Sequence, residues 1–226
     1  MENRFLPSFS RRKARKLRTA SQRAYDEKLS LVNISLGDPL FEPLPQEIWL
    51  EIGFGGGEHL LTQLSQNPTV SIVGCEPFIN GVAKLLVHLP EENLPRVRLW
   101  TKDSRYFLDK TSSSYFSRAF ILFPDPWPKV RQHKRRLITP HFITQLARTL
   151  KEGALLRIAS DDPSYVKQIL EVLLASPSFQ HIDGPTTPAP FTWSPRPDEW
   201  PSTRYEQKAL SQGKPCAYMT FQKKGG

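Results

Sequence analysis

Five acids carry the first chemical suggestion: Glu51, Glu76, Asp103, Asp125 and Asp161. The first lies within an apolar run and the others close one. The first run leads into "LEIGFGGGEH", with glycines at 53, 55 and 57. Glycines there let backbone approach a ligand that side chains would exclude. A dinucleotide fingerprint needs its third glycine three positions after the second, and that place is Glu58. The loop also lacks the Gly-Lys-Ser/Thr ending of a phosphate-binding loop, and Glu51 just before it would repel a pyrophosphate. The pattern suits a ligand with a cationic end and no phosphates.

Glu76 falls at the distance where an acid meets ribose hydroxyls in such folds. Asp103 ends the next run, where an adenine could be held. A ribose, an adenine and positive charge without phosphate describe S-adenosylmethionine, which has a sulfonium and an ammonium. Gly53 and Gly55 would let the chain close on it.

A second constellation is "FPDPWPKVRQHKRR", Phe123 to Arg136. Asp125 sits between two prolines and before Trp127, and a basic run follows at once. Prolines fix the direction of the acid, and Trp127 offers a face for stacking or packing. A plain reading is an ion pair between Asp125 and Arg131 or Arg135. The functional reading is an acid that addresses a base while the cations hold a nucleic-acid backbone.

Elements that could position these residues alternate along the chain. Strands are expected at 48–54, 71–77, 97–103, 118–125, 154–161 and 216–223, with helices at 58–66, 79–89, 140–150 and 163–175. Gly153 is expected to close the helix that begins at Thr139–Pro140, where Thr supplies the N-cap oxygen and Pro loses no needed bond. "TRYE", Thr203 to Glu206, has the spacing of a capping box before a further helix. Fully apolar strands separated by helices imply an α/β fold, a mostly parallel sheet with helices on both faces and a late antiparallel strand. Ligands bind beyond the carboxyl ends of such strands, where the acids lie. Residues 1–46 read as a basic arm and loop, and 47–226 as one domain.

The chain has 226 residues and a net charge of +9. Residues 1–25 hold eight Lys/Arg against one Glu, and 129–136 hold five Lys/Arg and no acid. These two patches exceed the total charge, so the rest of the chain is net acidic, and a polyanionic partner is implied. Cys75 and Cys216 lie in strand-like runs and read as reduced core thiols of a cytoplasmic protein. The scattered histidines and cysteines predict no metal site. No apolar run suggests a signal peptide or a membrane span.

"LEIGFGGGEHL", "GCEPFINGV", "FPDPWPKVRQHKRR", "ASDDPSY" and "STRYEQK" occur in an order and spacing that resembles the bacterial tRNA (guanine-N7-)-methyltransferases. The resemblance spans roughly 48–222. It implies the class I, Rossmann-like S-adenosylmethionine-dependent methyltransferase fold and methylation of a variable-loop guanine in tRNA. It places methyl-donor contacts on Glu51, Glu76, Asp103 and Asp125. It places guanine and tRNA contacts on Lys129, Asp161, Thr203, Arg204, Tyr205 and Glu206, and on the run Arg131, Gln132, His133, Lys134, Arg135, Arg136. Pro128, Gly56 and Arg204 depart from the family pattern. Asp125 is the candidate catalytic residue, with Asp161 a second candidate for holding the guanine edge, in a monomer or homodimer. Alternatives are an amino methyltransferase acting on adenine or glutamine, and a non-catalytic RNA-binding protein of the same fold.

Overall fold

The structure is a computed structural model that describes residues 16–187, 193, 195–198 and 200–225. Its contacts gather into two compact units, Met1–Thr111 and Ser112–Gly226.

In the first unit three strands pair in parallel: β1 (Glu47–Ile52), β2 (Val70–Cys75) and β3 (Val97–Trp100), in the order β3-β2-β1. All six residues of β2 are buried, which explains its unbroken apolar run. Helix α1 spans Thr19–Val32, α2 Glu58–Gln66, α3 Ile79–His88 and α4 Ser104–Lys110. Helix α2 follows β1 after five residues, so the glycine loop is the strand-to-helix turn. Asp103 caps α4 by accepting the Arg105 N–H at 2.9 Å.

The second unit holds β4 (Phe116–Leu122), β5 (Leu150–Ser160), β6 (Phe179–Asp183) and β7 (Ala217–Lys223) in the order β4-β5-β7-β6. β4 and β5 are parallel, and β7 runs antiparallel to both β5 and β6. Helices α5 (Pro140–Thr149), α6 (Pro163–Leu174) and α7 (Arg204–Ser211) begin on Thr139, Asp162 and Thr203, whose side chains each accept a first-turn N–H. Two of the three have proline in the first turn, where its missing N–H costs nothing.

Two expectations need correction. Residues 1–46 are not only arm and loop, because α1 lies among them and packs on α3. Residues 1–15, which carry most of the basic arm, lie outside the described residues. Gly153 does not close a helix. It sits inside β5 with φ +75°, where the register with β4 shifts between Phe116 and Arg118. A bulge needs one residue in such a conformation, and glycine adopts it without a Cβ penalty.

Candidate functional site

Of the donor residues expected from the sequence, Glu51, Gly53, Gly55, Glu76 and Asp103 lie in the first unit and Asp125 in the second. Gly53, Gly55 and Gly57 all have positive φ, between +55° and +81°. The loop is held closely. Glu76 Oε2 accepts the Gly55 N–H at 2.9 Å and its Oε1 accepts the Phe78 N–H at 2.9 Å. Gly81 packs so tightly that a Cβ there would stand 2.3 Å from the Gly55 carbonyl oxygen. Gly57 lies against Leu85, and a Cβ on it would stand 2.4 Å from the leucine Cδ1.

Glu51 is 3% exposed, and its Oε2 lies 2.8 Å from His59 Nδ1. His59 Nε2 lies 3.3 Å from the amide nitrogen of Gln63, whose Oε1 accepts from Asn67. An amide nitrogen only donates, so His59 Nε2 accepts and Nδ1 carries the proton. His59 Nδ1 then donates to the Glu51 carboxylate. Asp103 is also engaged: Arg105 Nη2 and Nε reach its two oxygens at 2.6 and 3.0 Å. That pair is partly exposed, which limits its contribution to about 1 kcal/mol or less. So Glu51, Glu76 and Asp103 each already serve the protein. A carboxylate has about four acceptor positions, so such service is compatible with ligand contact.

The acceptor-side residues lie in the second unit. After β4 the chain turns sharply: Phe123 and Trp127 have φ of +53° and +46°. Non-glycine residues in that region are uncommon and mark a turn held by its surroundings. Between them, Pro124, Asp125 and Pro126 form the corner. The corner's support is Arg136. Its Nε donates to the Pro126 carbonyl at 2.8 Å, and its two other nitrogens reach Ser164 and Gln168 on α6.

Asp125 has no hydrogen bond or ion pair among the described residues, so the expected pairing with Arg131 or Arg135 is not formed. Its surface is exposed, yet lost hydration raises its carboxyl above the ordinary value. Protein surrounds the group while its tip still meets water. Arg135 instead lies over the Trp127 ring, 4.9 Å from its centre.

The basic run divides. Residues Val130–Arg135 form a turn of 3-10 helix. Lys129, Arg131 and Lys134 are exposed, Gln132, His133 and Arg135 are half-buried, and Arg136 is 4% exposed. Arg136, expected among the RNA contacts, is buried here and braces the corner. Nothing in the sequence separates it from the other cations of the run.

Asp161 follows β5 and lies 4.0 Å from Lys214 Nζ. The "TRYE" segment forms the capping box: the Glu206 N–H reaches Thr203 Oγ1 at 3.1 Å, and Glu206 Oε2 accepts the Thr203 N–H at 3.2 Å. Glu206 is 2% exposed and also accepts from Arg196 Nε at 2.9 Å and from the Tyr218 hydroxyl at 2.5 Å. Glu206, expected among the substrate residues, is the hub that fixes the start of α7. Arg204 and Tyr205 are exposed there. The sequence reading missed Arg196 and Tyr218, whose partners are distant or unremarkable in the chain.

Solved structures of similar fold define the class. A 16S rRNA methyltransferase, KamB, superposes with a TM-score of 0.59 at 14% identity, over 85% of this chain and 96% of its own. The 16S rRNA (adenine(1408)-N(1))-methyltransferase from Catenulisporales acidiphilia does so with a TM-score of 0.54 at 15% identity, over 80% and 90%. The fold is that of the class I S-adenosylmethionine-dependent methyltransferases. A methyltransferase family model matches residues 45–219. The tRNA (guanine-N(7)-)-methyltransferases of Rhodospirillum rubrum and Roseobacter denitrificans are 40% and 41% identical, covering 96% and 94% of this chain and 87% and 94% of their own lengths. The chain belongs to the tRNA (guanine-N(7)-)-methyltransferase family. Among the described residues no helix is long and apolar enough to cross a membrane, and no cluster of His, Cys, Asp or Glu could hold a metal ion.

Proposed function

We propose that this chain transfers the methyl group of S-adenosylmethionine to N7 of a guanine in the variable loop of tRNA, forming 7-methylguanosine in the cytoplasm. The observation that carries the reading is Asp125, an acid without a partner among the described residues, on a braced corner followed by the exposed cations Lys129, Arg131 and Lys134.

The donor fits the first unit. Loop 53–57 presents backbone with no side chain at four of five positions. Glu51 suits the ammonium, Glu76 suits the ribose hydroxyls, and Asp103 suits the adenine end. The bound donor supplies an activated methyl on a sulfonium, and the rest of the task is orientation. Guanine N7 has a free lone pair, so no proton need leave before it attacks. The guanine edge presents two donors, N1–H and the 2-amino group, and a carboxylate offers two acceptors. Asp125 can hold that edge and offset the charge that grows on the purine. Fixed charge and orientation supply such rate enhancement without a general base. Asp161 is the second acid for the same edge. Lys129 and the exposed cations of 131–135 hold phosphates, while Thr203, Arg204 and Tyr205 present a helix start, a place that favours anions. Both sets of residues are on one polypeptide, so a monomer or a homodimer can act.

Incubating the protein with tRNA and labelled donor, then analysing the nucleosides, tests this. Label in 7-methylguanosine is expected. Label in a methylated adenine, or none, overturns it.

A further inference from the structure

We propose that Arg136, the last cation of the basic run, is a positioning residue that holds Asp125 in its working direction and makes no contact with RNA. This rests on the role given to Asp125 above. Pro124, Pro126 and Pro128 have no N–H, so the corner has few backbone donors, although the Phe123 N–H ties its start to the Ala159 carbonyl at 2.8 Å. Past Asp125 the tie comes from a side chain: the Pro126 carbonyl accepts from Arg136 Nε at 2.8 Å.

The remaining guanidinium nitrogens tie the corner to the first turns of α6. Nη1 donates to the Ser164 carbonyl at 3.2 Å and to Gln168 Oε1 at 3.0 Å, and Nη2 donates to Ser164 Oγ at 2.5 Å. The group lies 4.8 Å over the Tyr165 ring, and Asp162 Oδ1 is 3.8 Å from Nη2. Neighbouring bonds close the clamp. Gln168 Nε2 donates to the Ile138 carbonyl at 2.8 Å, and the Ile138 N–H donates to the Tyr165 hydroxyl at 3.1 Å.

The flat fork meets four acceptors from three separate nitrogens, a span that the three donors on a lysine's single nitrogen cannot cover. Burying a cation is costly unless it is satisfied. An arginine at 4% exposure with four hydrogen bonds to protein acceptors offers a phosphate no open approach. The run is therefore surface cations that end in an internal peg, and the peg sets the acid that the cations bring to the RNA.

The test compares wild type, Arg136→Lys, Asp125→Asn and the double variant. Single-turnover rates are taken at saturating donor and tRNA, with tRNA affinity measured across salt. Arg136→Lys is expected to lose roughly 10- to 100-fold in rate, in line with misplacement of a reacting group, while tRNA affinity and its salt slope stay put. In the Asp125→Asn background the same change should cost under about threefold, because groups acting as a unit are not additive. Ser164→Ala removes one acceptor from the peg and leaves its charge. It should show a smaller loss with the same dependence on Asp125, which keeps the test open if Arg136→Lys does not fold. Carboxyl-labelled aspartate NMR supplies a readout that needs no activity: the Asp125 titration should shift in Arg136→Lys or Ser164→Ala. Equal losses in both backgrounds, an unshifted Asp125 titration, or a flattened salt slope each overturn the proposal. A wild type that forms no 7-methylguanosine overturns the functional reading instead, and the titration still decides the peg.

Discussion

Glu76, at the end of β2, accepts the N–H of Gly55, in the loop after β1, at 2.9 Å. One acid thus fixes the loop that should bind the donor and stands where ribose hydroxyls are expected. Glu76→Ala removes both functions. Loss of a hydrogen bond to a charged group costs about 1.5–3 kcal/mol, and slackening of the loop adds to it. Calorimetry with S-adenosylhomocysteine should show at least a tenfold weaker affinity, with tRNA affinity little changed. An unaltered donor affinity would remove Glu76 from the donor site.

Gly81 offers a second test of the same loop. A methyl group there would stand 2.3 Å from the Gly55 carbonyl oxygen, a backbone atom with little freedom to yield. Gly81→Ala should push the loop off its position and cost about 1–3 kcal/mol of stability, the usual range for overpacking. Donor affinity should fall with it. Thermal unfolding and calorimetry check the two effects, and unchanged values in both would mean α3 shifts freely.

What was legible in the sequence follows from how local each signal is. Strand ends lie within about three residues of expectation because Glu76, Asp103, Asp125 and Asp161 follow buried runs closely. The caps Thr139, Asp162 and Thr203 were readable because a cap bonds to residues two or three positions away. Helix α1 was not, since only Val32 of its fourteen residues is buried and it carries little apolar stripe. Helix α4 is seven residues long, too short for periodicity to show, though Asp103 and the pair Phe107–Leu108 signal it. Strand β6 is an edge with one buried residue of five. The separation of Arg136 from Arg135, and of Glu206 from Tyr205, is tertiary. Each depends on what a neighbouring element presents: α6 for Arg136, and Arg196 and Tyr218 for Glu206.

The exposed and buried cations of the run should behave differently toward salt. Arg131→Ala and Lys134→Ala should each lower the slope of log affinity against log salt by roughly 0.7–0.9, the value for one phosphate contact. Affinity should weaken for every tRNA alike. Filter binding between low and physiological salt measures this. A fall in affinity at constant slope would mean these side chains read bases or support the turn.

Tyr218 and Glu206 predict an alkaline effect on stability. Burial, then the bond to the Glu206 carboxylate, raises the Tyr218 hydroxyl above its ordinary value of 10. The folded state then holds its proton where the unfolded state releases it. The contribution is therefore complete below pH 10 and declines as pH rises toward the folded value. Tyr218→Phe should cost about 1.5–3 kcal/mol at neutral pH and decline less steeply above pH 10 in urea unfolding. Some decline should remain, from the buried Tyr165 hydroxyl and from Cys216, which burial pushes up to about 11. Identical slopes for the two proteins would show that the Tyr218–Glu206 bond is not held in solution.

Asp125 joins stability to function, and the two should move in opposite directions. Lost hydration raises its carboxyl from an ordinary 3.8. Between that value and the higher folded one, the folded state binds more proton than the unfolded state. Stability from this group therefore falls as pH rises through that window, and at neutral pH the ionised acid is a burden. Asp125→Asn should leave the protein as stable as wild type or more so. It should still bind tRNA, because the phosphates are held elsewhere. Its methyl-transfer rate should drop by roughly 10²–10³, the cost of losing a fixed electrostatic contact. The amide is neutral and donates on one face, where the guanine edge also donates. In wild type the rate should rise through the raised carboxyl value and then stay flat, since N7 needs no deprotonation. Single-turnover rates across pH, with urea unfolding of both proteins, check the whole set. A variant that is slow and also unstable would make the corner a structural feature. A variant near wild-type rate would leave Asp161 as the acid that holds the base.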